Sequence, residues 1–413
     1  MSSPPRSSIQ ARCRKSLLIA CCIFLCLCGS TIESLQAEPP LSIKEARVPI
    51  TGSDFNRPDP FPGRGEFQWP GNVAQLSDGE LLMVHSAGYY HVSFAQPRLI
   101  EPKLRENWLA EGWPLDFPAP TGGRSMLVRS SNAGLTWGKP HTLVDLPLDD
   151  CPYGLLRCDD GTLLCFINVQ ASWYGYDSAP TPFDKDLDGL NTQQCVVRSI
   201  DDGLTWSEPI WLKSPGKFYE RSHAQPILLS DGGILWPTYF YDGGKEKLKG
   251  AIHRSDDQGQ TWRHISTVAS EEVNVDEPAI AQLADSRFIM ISRPDGACFY
   301  SDDAVTWTKQ GTLVTEGIFK APRLFVLQDG TIVTVCTYRN LQVFLGRNGG
   351  ESWVGPLDLD PQSYGYPGGI KLADESLLIT YGSSGRAPNT LYAVRFRVNS
   401  ERDNIELLPI NKK

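Results

Sequence analysis

Short apolar runs alternate with tight polar turns along most of the chain, and one arrangement occurs six times. Each copy has an apolar run, a turn built on aspartate and a second apolar run, as in GNVAQLSDGELLMV and RLFVLQDGTIVTVC. Apolar runs of this length on both sides of Asp-Gly, or of a close substitute, predict a β-hairpin. The turn aspartates are Asp78, Asp160, Asp231, Asp285, Asp329 and Asp374.

A second pattern follows each of the first five hairpins and ends in tryptophan. Its clearest copies read SSNAGLTW, SIDDGLTW and SDDQGQTW, and the later two are degenerate. An Asp or Asn side chain that accepts backbone N–H bonds, next to a glycine, predicts a turn fixed by its own side chain. We assign these turns a structural role, with the tryptophan packed between sheets. The tryptophans are Trp137, Trp206, Trp262, Trp307 and Trp353.

One hairpin and one tryptophan turn together supply four strands, and six such units predict a β-propeller. The sixth unit has no tryptophan turn, and LYAVRFRV and IELLPI are expected to form its outer strands. The predicted fold is therefore all-β, a six-bladed β-propeller without long helices. We expect residues 38–413 to form it as one domain with no internal linker.

A basic and apolar leader precedes the repeats. It contains four basic residues and then the run LLIACCIFLCLCG, which is shorter than the about 20 residues that span a bilayer. We predict a signal peptide over residues 1–37, cleaved after Ala37, and a secreted or periplasmic protein. Two alternatives are an uncleaved membrane anchor and lipidation at Cys21.

The acidic balance of the chain limits its partners. A formal net charge of -9 and a pI near 5.3 argue against nucleic acid or an anionic membrane surface, because both favour a basic protein. We expect a monomer with no membrane contact beyond the leader. Five of the 11 cysteines lie in the leader. For the other six there are two interpretations: one disulfide bridge within the second repeat, or buried free thiols.

Hairpin geometry predicts which side chains meet at one end of the propeller axis. Residues equally distant from a turn lie side by side, so the positions eight before and eight after each turn aspartate form one ring. Glu277, Arg293, Tyr366 and His223 fall on this ring, and Arg339 lies two residues beyond it. A carboxylate, guanidinium groups and a phenol suit an anionic sugar. The alternative is a cross-strand salt bridge beside a tyrosine that only packs.

These features resemble the Asp-box repeats and inner strands of sialidases over nearly the whole chain after the leader. The resemblance implies a glycoside hydrolase with a tyrosine nucleophile, an exception to the usual carboxylate pair. In this family a glutamate assists the tyrosine and arginines bind the substrate carboxylate. The segment DEPAIAQLADSRFIMISR carries over Glu277 as that base and Arg293 as a carboxylate ligand. The segment RNLQVFLGRNGGESW carries over Arg339, and YGYPGGIKLADESLLITYG carries over Tyr366 as nucleophile.

The chain departs from the sialidase pattern in blade one. The family's first arginine belongs to an Arg-Ile-Pro motif, where this chain has Gln68, Trp69 and Pro70. The family's acid/base aspartate is missing from HSAGYYHVSF, and Gly382 stands where a supporting glutamate is usual. The half of the site expected from blades four to six is therefore present, and the half from blade one is not.

Two insertions, residues 87–120 and 169–191, extend this end of blades one and two. Loops of such length in a compact domain are typical of functional lids, and we expect Trp173 to stack on a sugar ring. His85 and His91 are further candidates for proton transfer. Asp184, Asp186 and Asp188 precede a glycine and match the first half of a calcium loop. A solvated acidic turn is the alternative, and no other cofactor is expected.

Three functions remain open from the sequence. The first is a secreted, sialidase-like exo-glycoside hydrolase that acts on a terminal, anionic sugar of a glycan. The second is a propeller glycosidase for a non-sialic sugar, and the third is a non-catalytic carbohydrate-binding propeller. The partner in each case is a glycan or glycoconjugate.

Overall fold

Six antiparallel sheets follow one another along the chain, and each contains one of the six predicted hairpins. A computed structural model describes residues 40–52, 67–88, 124–144, 146, 149–170, 192–216, 219–242, 247–363, 365–383 and 390–410. The predicted leader, Trp173, His91 and the acidic run Asp184, Asp186 and Asp188 lie outside these residues. Within the described part, no helix is long and apolar enough to cross a membrane.

The strands of blades one to five lie in chain order within each sheet, from the axis outward. The first of the described strands, β1 (Val48–Gly52), belongs to blade six. Blade one contains β2 (Phe67–Gln75), β3 (Leu81–Gly88), β4 (Arg124–Ser130) and β5 (His141–Val144). Blade two contains β6 (Asp149–Arg157), β7 (Leu163–Gln170), β8 (Thr192–Ser199) and β9 (Ile210–Trp211). Blade three contains β10 (Tyr219–Arg221), β11 (Ile227–Leu228), β12 (Ile234–Tyr241), β13 (Lys249–Ser255) and β14 (Arg263–Val268).

The remaining blades follow the same plan. Blade four contains β15 (Asp276–Gln282), β16 (Phe288–Arg293), β17 (Ala297–Ser301) and β18 (Thr308–Thr312). Blade five contains β19 (Lys320–Val326), β20 (Ile332–Thr337), β21 (Leu341–Arg347) and β22 (Ser352–Asp360). Blade six contains β23 (Gly368–Lys371), β24 (Leu377–Gly382), β25 (Thr390–Val398) and β26 (Ile405–Leu408). The prediction of an all-β, six-bladed propeller is confirmed.

Both ends of the described chain close blade six. Strands β1 and β26 pair with the two halves of β25, so the predicted outer strands are joined by one that the sequence did not indicate. A short helix, α1 (Ile43–Ala46), precedes β1. Between them, Arg47 Nη1 lies 3.0 Å from Oδ2 of the buried Asp360, which also accepts from Tyr381 Oη at 3.0 Å. This ion pair and hydroxyl bond tie the N-terminal segment to blades five and six.

The aspartates of the six hairpin turns all make the same bond. In each turn the aspartate Oδ1 accepts the backbone N–H two residues later, at 2.9–3.3 Å. This bond replaces a backbone partner and favours a tight turn. The six aspartates are therefore structural, and they lie at the end of the propeller opposite the predicted ring.

The tryptophan turns are fixed by side chains in the predicted way. In one, Asp257 Oδ1 accepts the backbone N–H of Thr261 at 2.8 Å, and Trp262 Nε1 donates to the carbonyl of Gly259 at 3.2 Å. Gly259 has φ +80°, which a glycine adopts without strain. The degenerate fourth copy keeps the geometry with Ala304, whose φ is +59°. The structural interpretation of these turns is confirmed.

Apolar side chains of neighbouring blades meet face to face and form the core. Between blades one and two, for example, Val84 and Leu127 share a cluster with Cys165 and Val197. Each of these side chains is completely buried, which stabilises the fold by roughly 1.5–3 kcal/mol for a valine or leucine.

Five of the cysteines are buried free thiols, as one of the two interpretations held: Cys158, Cys165, Cys195, Cys298 and Cys336.

A bulge in the inner strands changes the register that equal spacing predicts. Equal spacing puts Glu277 opposite Arg293, whereas the structure pairs Asp276 with Arg293 and Ala279 with Ile291. Two residues of β15 therefore face one residue of β16, and Glu277 takes φ +46°. Bulges re-aim side chains near functional sites. Blade five has the same irregularity, with Ala321 also at φ +46°.

Candidate active site

Glu277 is the centre of a hydrogen-bonded cluster at the end of the axis where β15 begins and β16 ends. We call this end the mouth. The Glu277 side chain is 2% exposed, and its Oε1 accepts from Arg293 Nη1 at 2.8 Å and from Tyr366 Oη at 2.7 Å. Its Oε2 accepts the backbone N–H of Ala321 at 2.8 Å. Three donors from three blades thus hold one buried carboxylate in a fixed orientation.

Arg293 ends β16 and binds two neighbouring carboxylates. Its Nη1 contacts Glu277, and its Nε lies 3.5 Å from Asp276 Oδ2. Burial acts to lower the pKa of Arg293, but the charges of Glu277 and Asp276 outweigh it and raise that pKa. Burial and the charge of Glu277 raise the pKa of Asp276 to about 7. Sequence reasoning missed Asp276, and such a shift makes it a candidate for proton transfer.

Tyr366 lies in the turn before β23 and packs between two rings. Its ring centroid is 4.8 Å from that of Trp69 and 4.9 Å from that of His223. Burial, and then the charge of Glu277, raise the pKa of the Tyr366 phenol well above its usual value. The phenol is therefore neutral at rest and donates its proton to Glu277 in a hydrogen bond.

His223 is buried at the mouth and faces the same carboxylate. Its Nε2 lies 3.1 Å from Tyr239 Oη and 3.9 Å from Glu277 Oε1. The ring also stacks on Tyr239, at 5.9 Å between centroids. Four of the residues predicted from the sequence therefore come together here: Glu277, Arg293, Tyr366 and His223.

Arg339 lies at the same mouth but in an exposed turn after β20. Its guanidinium carbon is 5.4 Å from the Tyr338 ring centroid, and its backbone N–H donates to Gln342 Oε1 at 3.5 Å. Among the described residues it makes no bond to the Glu277 cluster. Its role in substrate binding stays a prediction, as does that of Trp173 outside the described part.

Blade one contributes an aromatic side chain where the sialidase resemblance expects an arginine. Trp69 is 6% exposed and packs on Tyr366. The first described arginine of blade one is Arg124, at the start of β4. Strands β2 and β3 lie between β4 and the axis. Within the part of the chain that is described, Arg293 is the guanidinium that bonds to the Glu277–Tyr366 pair.

Arg323 is a second charged residue that sequence reasoning missed. It stands in β19, is 2% exposed, and interacts electrostatically with Glu277. Burial lowers its pKa to about 10, against the opposing effect of the Glu277 charge. Its only sequence signal is a basic residue at the start of the apolar run RLFVLQDG. A cation in an inner strand adds positive potential beneath the carboxylate.

His85 is a buried histidine rather than a residue of the mouth's polar cluster. It is completely buried in β3, and its Nδ1 lies 3.4 Å from the carbonyl oxygen of Ser86. Its Nε2 has no hydrogen-bond partner, and burial lowers its pKa to about 4. The ring is therefore neutral at physiological pH, which does not suit the proton-transfer role considered for it.

We expect His85 to make the fold sensitive to acid. Because its pKa is lower in the folded state than in the unfolded state, where the value is near 6.5, the unfolded chain takes up the proton first as pH falls. The stabilisation is complete above pH 6.5 and is lost progressively towards pH 4, by up to roughly 3 kcal/mol. Urea unfolding across this range should therefore show a shallower loss of stability for His85→Gln. Identical pH dependence in both proteins would contradict this assignment.

Comparison with known proteins agrees with the fold. A family model described as a BNR repeat-like domain matches residues 127–379. A sialidase of Bacteroides fragilis is 27% identical over 213 residues, which cover 44% of this chain and 37% of that protein. The match thus spans well under half the length of this relative.

Solved structures show the same architecture at low sequence identity. A protein of unknown function from Dyadobacter fermentans superposes with a TM-score of 0.63 at 17% identity, covering 88% of this chain and 98% of the other. The NanB sialidase of Streptococcus pneumoniae gives 0.59 at 13% identity, covering 88% and 72%. An alpha-L-arabinofuranosidase of Fusarium graminearum gives 0.57 at 16% identity, covering 85% and 97%. With the match to residues 127–379, the chain belongs to the BNR repeat-like family and has a six-bladed propeller of the sialidase type.

Proposed function

We propose that this protein is a glycoside hydrolase that removes a terminal sugar from a glycan, with Tyr366 as nucleophile and Glu277 as its base. The observation that carries the proposal is the 2.7 Å hydrogen bond from Tyr366 Oη to Glu277 Oε1. A neutral phenol is a weak nucleophile, and an adjacent carboxylate activates it by taking its proton. The sialidase relative supports the same reaction type.

In the first step, Tyr366 Oη attacks the anomeric carbon while its proton passes to Glu277. The bond between that carbon and the leaving oxygen breaks, and the leaving oxygen takes a proton from a general acid, for which protonated Asp276 is the candidate among the described residues. The product is a covalent tyrosyl glycoside. Arg293, hydrogen-bonded to Glu277 at 2.8 Å, keeps the carboxylate oriented and compensates its charge in the buried mouth.

In the second step, water attacks the anomeric carbon of the glycosyl enzyme. The bond to Tyr366 breaks, Glu277 returns the proton to the phenolate, and the free sugar leaves. Two displacements at one carbon give overall retention of configuration. The attacking water gives its proton to a general base. Asp276, whose pKa is raised to about 7, is the candidate for this base among the described residues.

The leading substrate is a terminal sugar with a carboxylate. Arg293 and Arg339 lie at the mouth, and an arginine fork binds a carboxylate through two parallel hydrogen bonds. Arg293 is already engaged by Glu277 and Asp276, so a substrate carboxylate would share it with these groups. Arg339 is exposed at this mouth, so its guanidinium group is accessible to a ligand.

A second candidate is a glycosidase for a neutral sugar such as an arabinofuranoside. The observation that favours it is Trp69, which occupies the blade-one position and packs on Tyr366 at 4.8 Å. An indole offers a sugar an apolar face and no charge. The structural likeness to an alpha-L-arabinofuranosidase shows the fold alone and is compatible with this alternative.

A panel of aryl glycosides separates these possibilities. The protein produced from the full chain is assayed with an aryl α-sialoside beside uronic, neutral pyranosyl and arabinofuranosyl substrates. We expect release from the sialoside, because the Glu277–Arg293–Tyr366 cluster matches the sialidase-type site. Release from a neutral sugar alone would move the assignment to the second candidate. If the folded protein hydrolyses none of them but binds glycans, the chain is a carbohydrate-binding propeller.

A further inference from the structure

A cavity of about 370 Å³ lies on the propeller axis and is distinct from the Glu277 cluster. Its walls come from the inner segments of all six blades, which places it on the axis itself. Its lining residues run from the middle of the inner strands towards the turn aspartates, whereas the Glu277 cluster occupies the other end. The volume is near the lower limit for small-molecule pockets.

The charged residues that line this cavity are all basic. They are Arg323, Arg157 and Lys371, and no aspartate or glutamate is among the described lining residues. Lys371 is partly neutralised, since its Nζ lies 3.1 Å from Glu375 Oε1 and 3.0 Å from the carbonyl of Val326. Glu277 offsets part of the Arg323 charge from the other end of the axis, but the charges that line the cavity itself are basic and favour an anion.

Both arginines have a buried donor that the protein leaves unused. The Nε atoms of Arg323 and Arg157 are inaccessible to solvent and have no hydrogen-bond partner. Arg323 Nη1 donates to the carbonyl of Pro322 at 3.3 Å, so the side chain is only partly satisfied. A buried polar group without a partner is costly and rare in native proteins. An anion bound at the guanidinium group would offset part of this cost.

We infer that this axial cavity binds a small anion, held by the guanidinium group of Arg323. The remaining walls include apolar side chains such as Leu155, Ile227 and Phe325, which suit the short hydrocarbon part of a carboxylate. A carboxylate accepts two N–H bonds from one guanidinium, and an inorganic anion such as chloride satisfies one or two. The carboxylate and the inorganic anion are both small anions, and the titration below distinguishes them.

The test is an anion titration of the full-chain protein by thermal unfolding. Butyrate, acetate and chloride are added at constant ionic strength, because a ligand that binds only the folded state raises the midpoint. We expect at least one of these anions to stabilise the wild type. Arg323→Met should raise its half-saturating concentration about tenfold or more, through the lost charged hydrogen bonds. Arg263→Gln, at an exposed ion pair, is the matched control and should respond as the wild type.

Two further measurements cover the case in which Arg323→Met does not fold. Ile227→Phe fills the cavity and keeps Arg323, so it should also lose the response. Crystals of the wild type in bromide should show anomalous density within hydrogen-bond distance of the Arg323 guanidinium. Stabilisation by butyrate alone identifies a carboxylate ligand, and stabilisation by chloride an inorganic one. Equal responses of wild type and Ile227→Phe, with no bromide beside Arg323, would overturn the inference.

Discussion

Tyr366→Phe is expected to abolish glycoside hydrolysis while the propeller stays folded. The variant lacks the oxygen that attacks the anomeric carbon, and the loss in kcat should be roughly 10³-fold or more. The packing of the ring on Trp69 and His223 does not involve the hydroxyl, so the fold should change little. The measurement is kcat on whichever aryl glycoside the panel identifies, with the thermal midpoint as a check on folding.

Tyr338→Phe is the matched control for this experiment. Tyr338 lies at the same mouth, next to Arg339, and its hydroxyl donates to the carbonyl of Glu316 rather than to a carboxylate. Its removal should leave kcat within a few-fold of the wild type. A Tyr366→Phe protein with nearly full activity would mean that another group is the nucleophile.

Arg293→Met should destabilise the fold strongly, and the loss should depend on Glu277. The Arg293 side chain is 30% exposed, but its removal leaves the charge of the buried Glu277 uncompensated, which costs up to about 3–5 kcal/mol. Glu277→Gln in the same chain removes that stranded charge, so the double variant should be more stable than Arg293→Met alone. Urea unfolding of the wild type, both single variants and the double variant gives the coupling free energy.

Arg287→Met provides the comparison at the surface. Arg287 pairs with Asp285 at 2.8 Å, and both side chains are well exposed. The loss of this pair should cost under about 1 kcal/mol, because water screens the charges. If the Arg293 and Glu277 changes were simply additive, the pair would make no net contribution and the proposed orientation of Glu277 by Arg293 would fail.

The repeats could be predicted from the sequence because their physics is local. Each turn aspartate bonds to a backbone N–H two residues later, and each tryptophan turn bonds within eight residues, so a short window contains the whole interaction. Six copies of the hairpin turn then indicate the number of blades. Strand β1 was not predicted because it belongs to no repeat and pairs with β25, which is distant from it in the sequence.

The candidate site could be predicted only in part, since side-chain direction depends on the bulge in β15. Spacing from the turn brought Glu277, Arg293 and Tyr366 to one mouth, yet it paired the wrong residue with Arg293. Burial also has no local signature. Burial is the largest cause of the shifted pKa values of Asp276 and Arg323, and it comes from packing that a short stretch of sequence does not show.

The closure of blade six bears on how this chain folds. Arg47 and Asp360 are separated by 313 residues, and β1 can pair only after β25 has formed near the other end of the described chain. Contacts this distant in sequence carry a large loop-closure entropy and slow the final folding step. Until then the edge of β25 is open, and β1 of a second molecule offers it the same hydrogen bonds. At high protein concentration, we therefore expect refolding to give strand-exchanged dimers beside the closed ring.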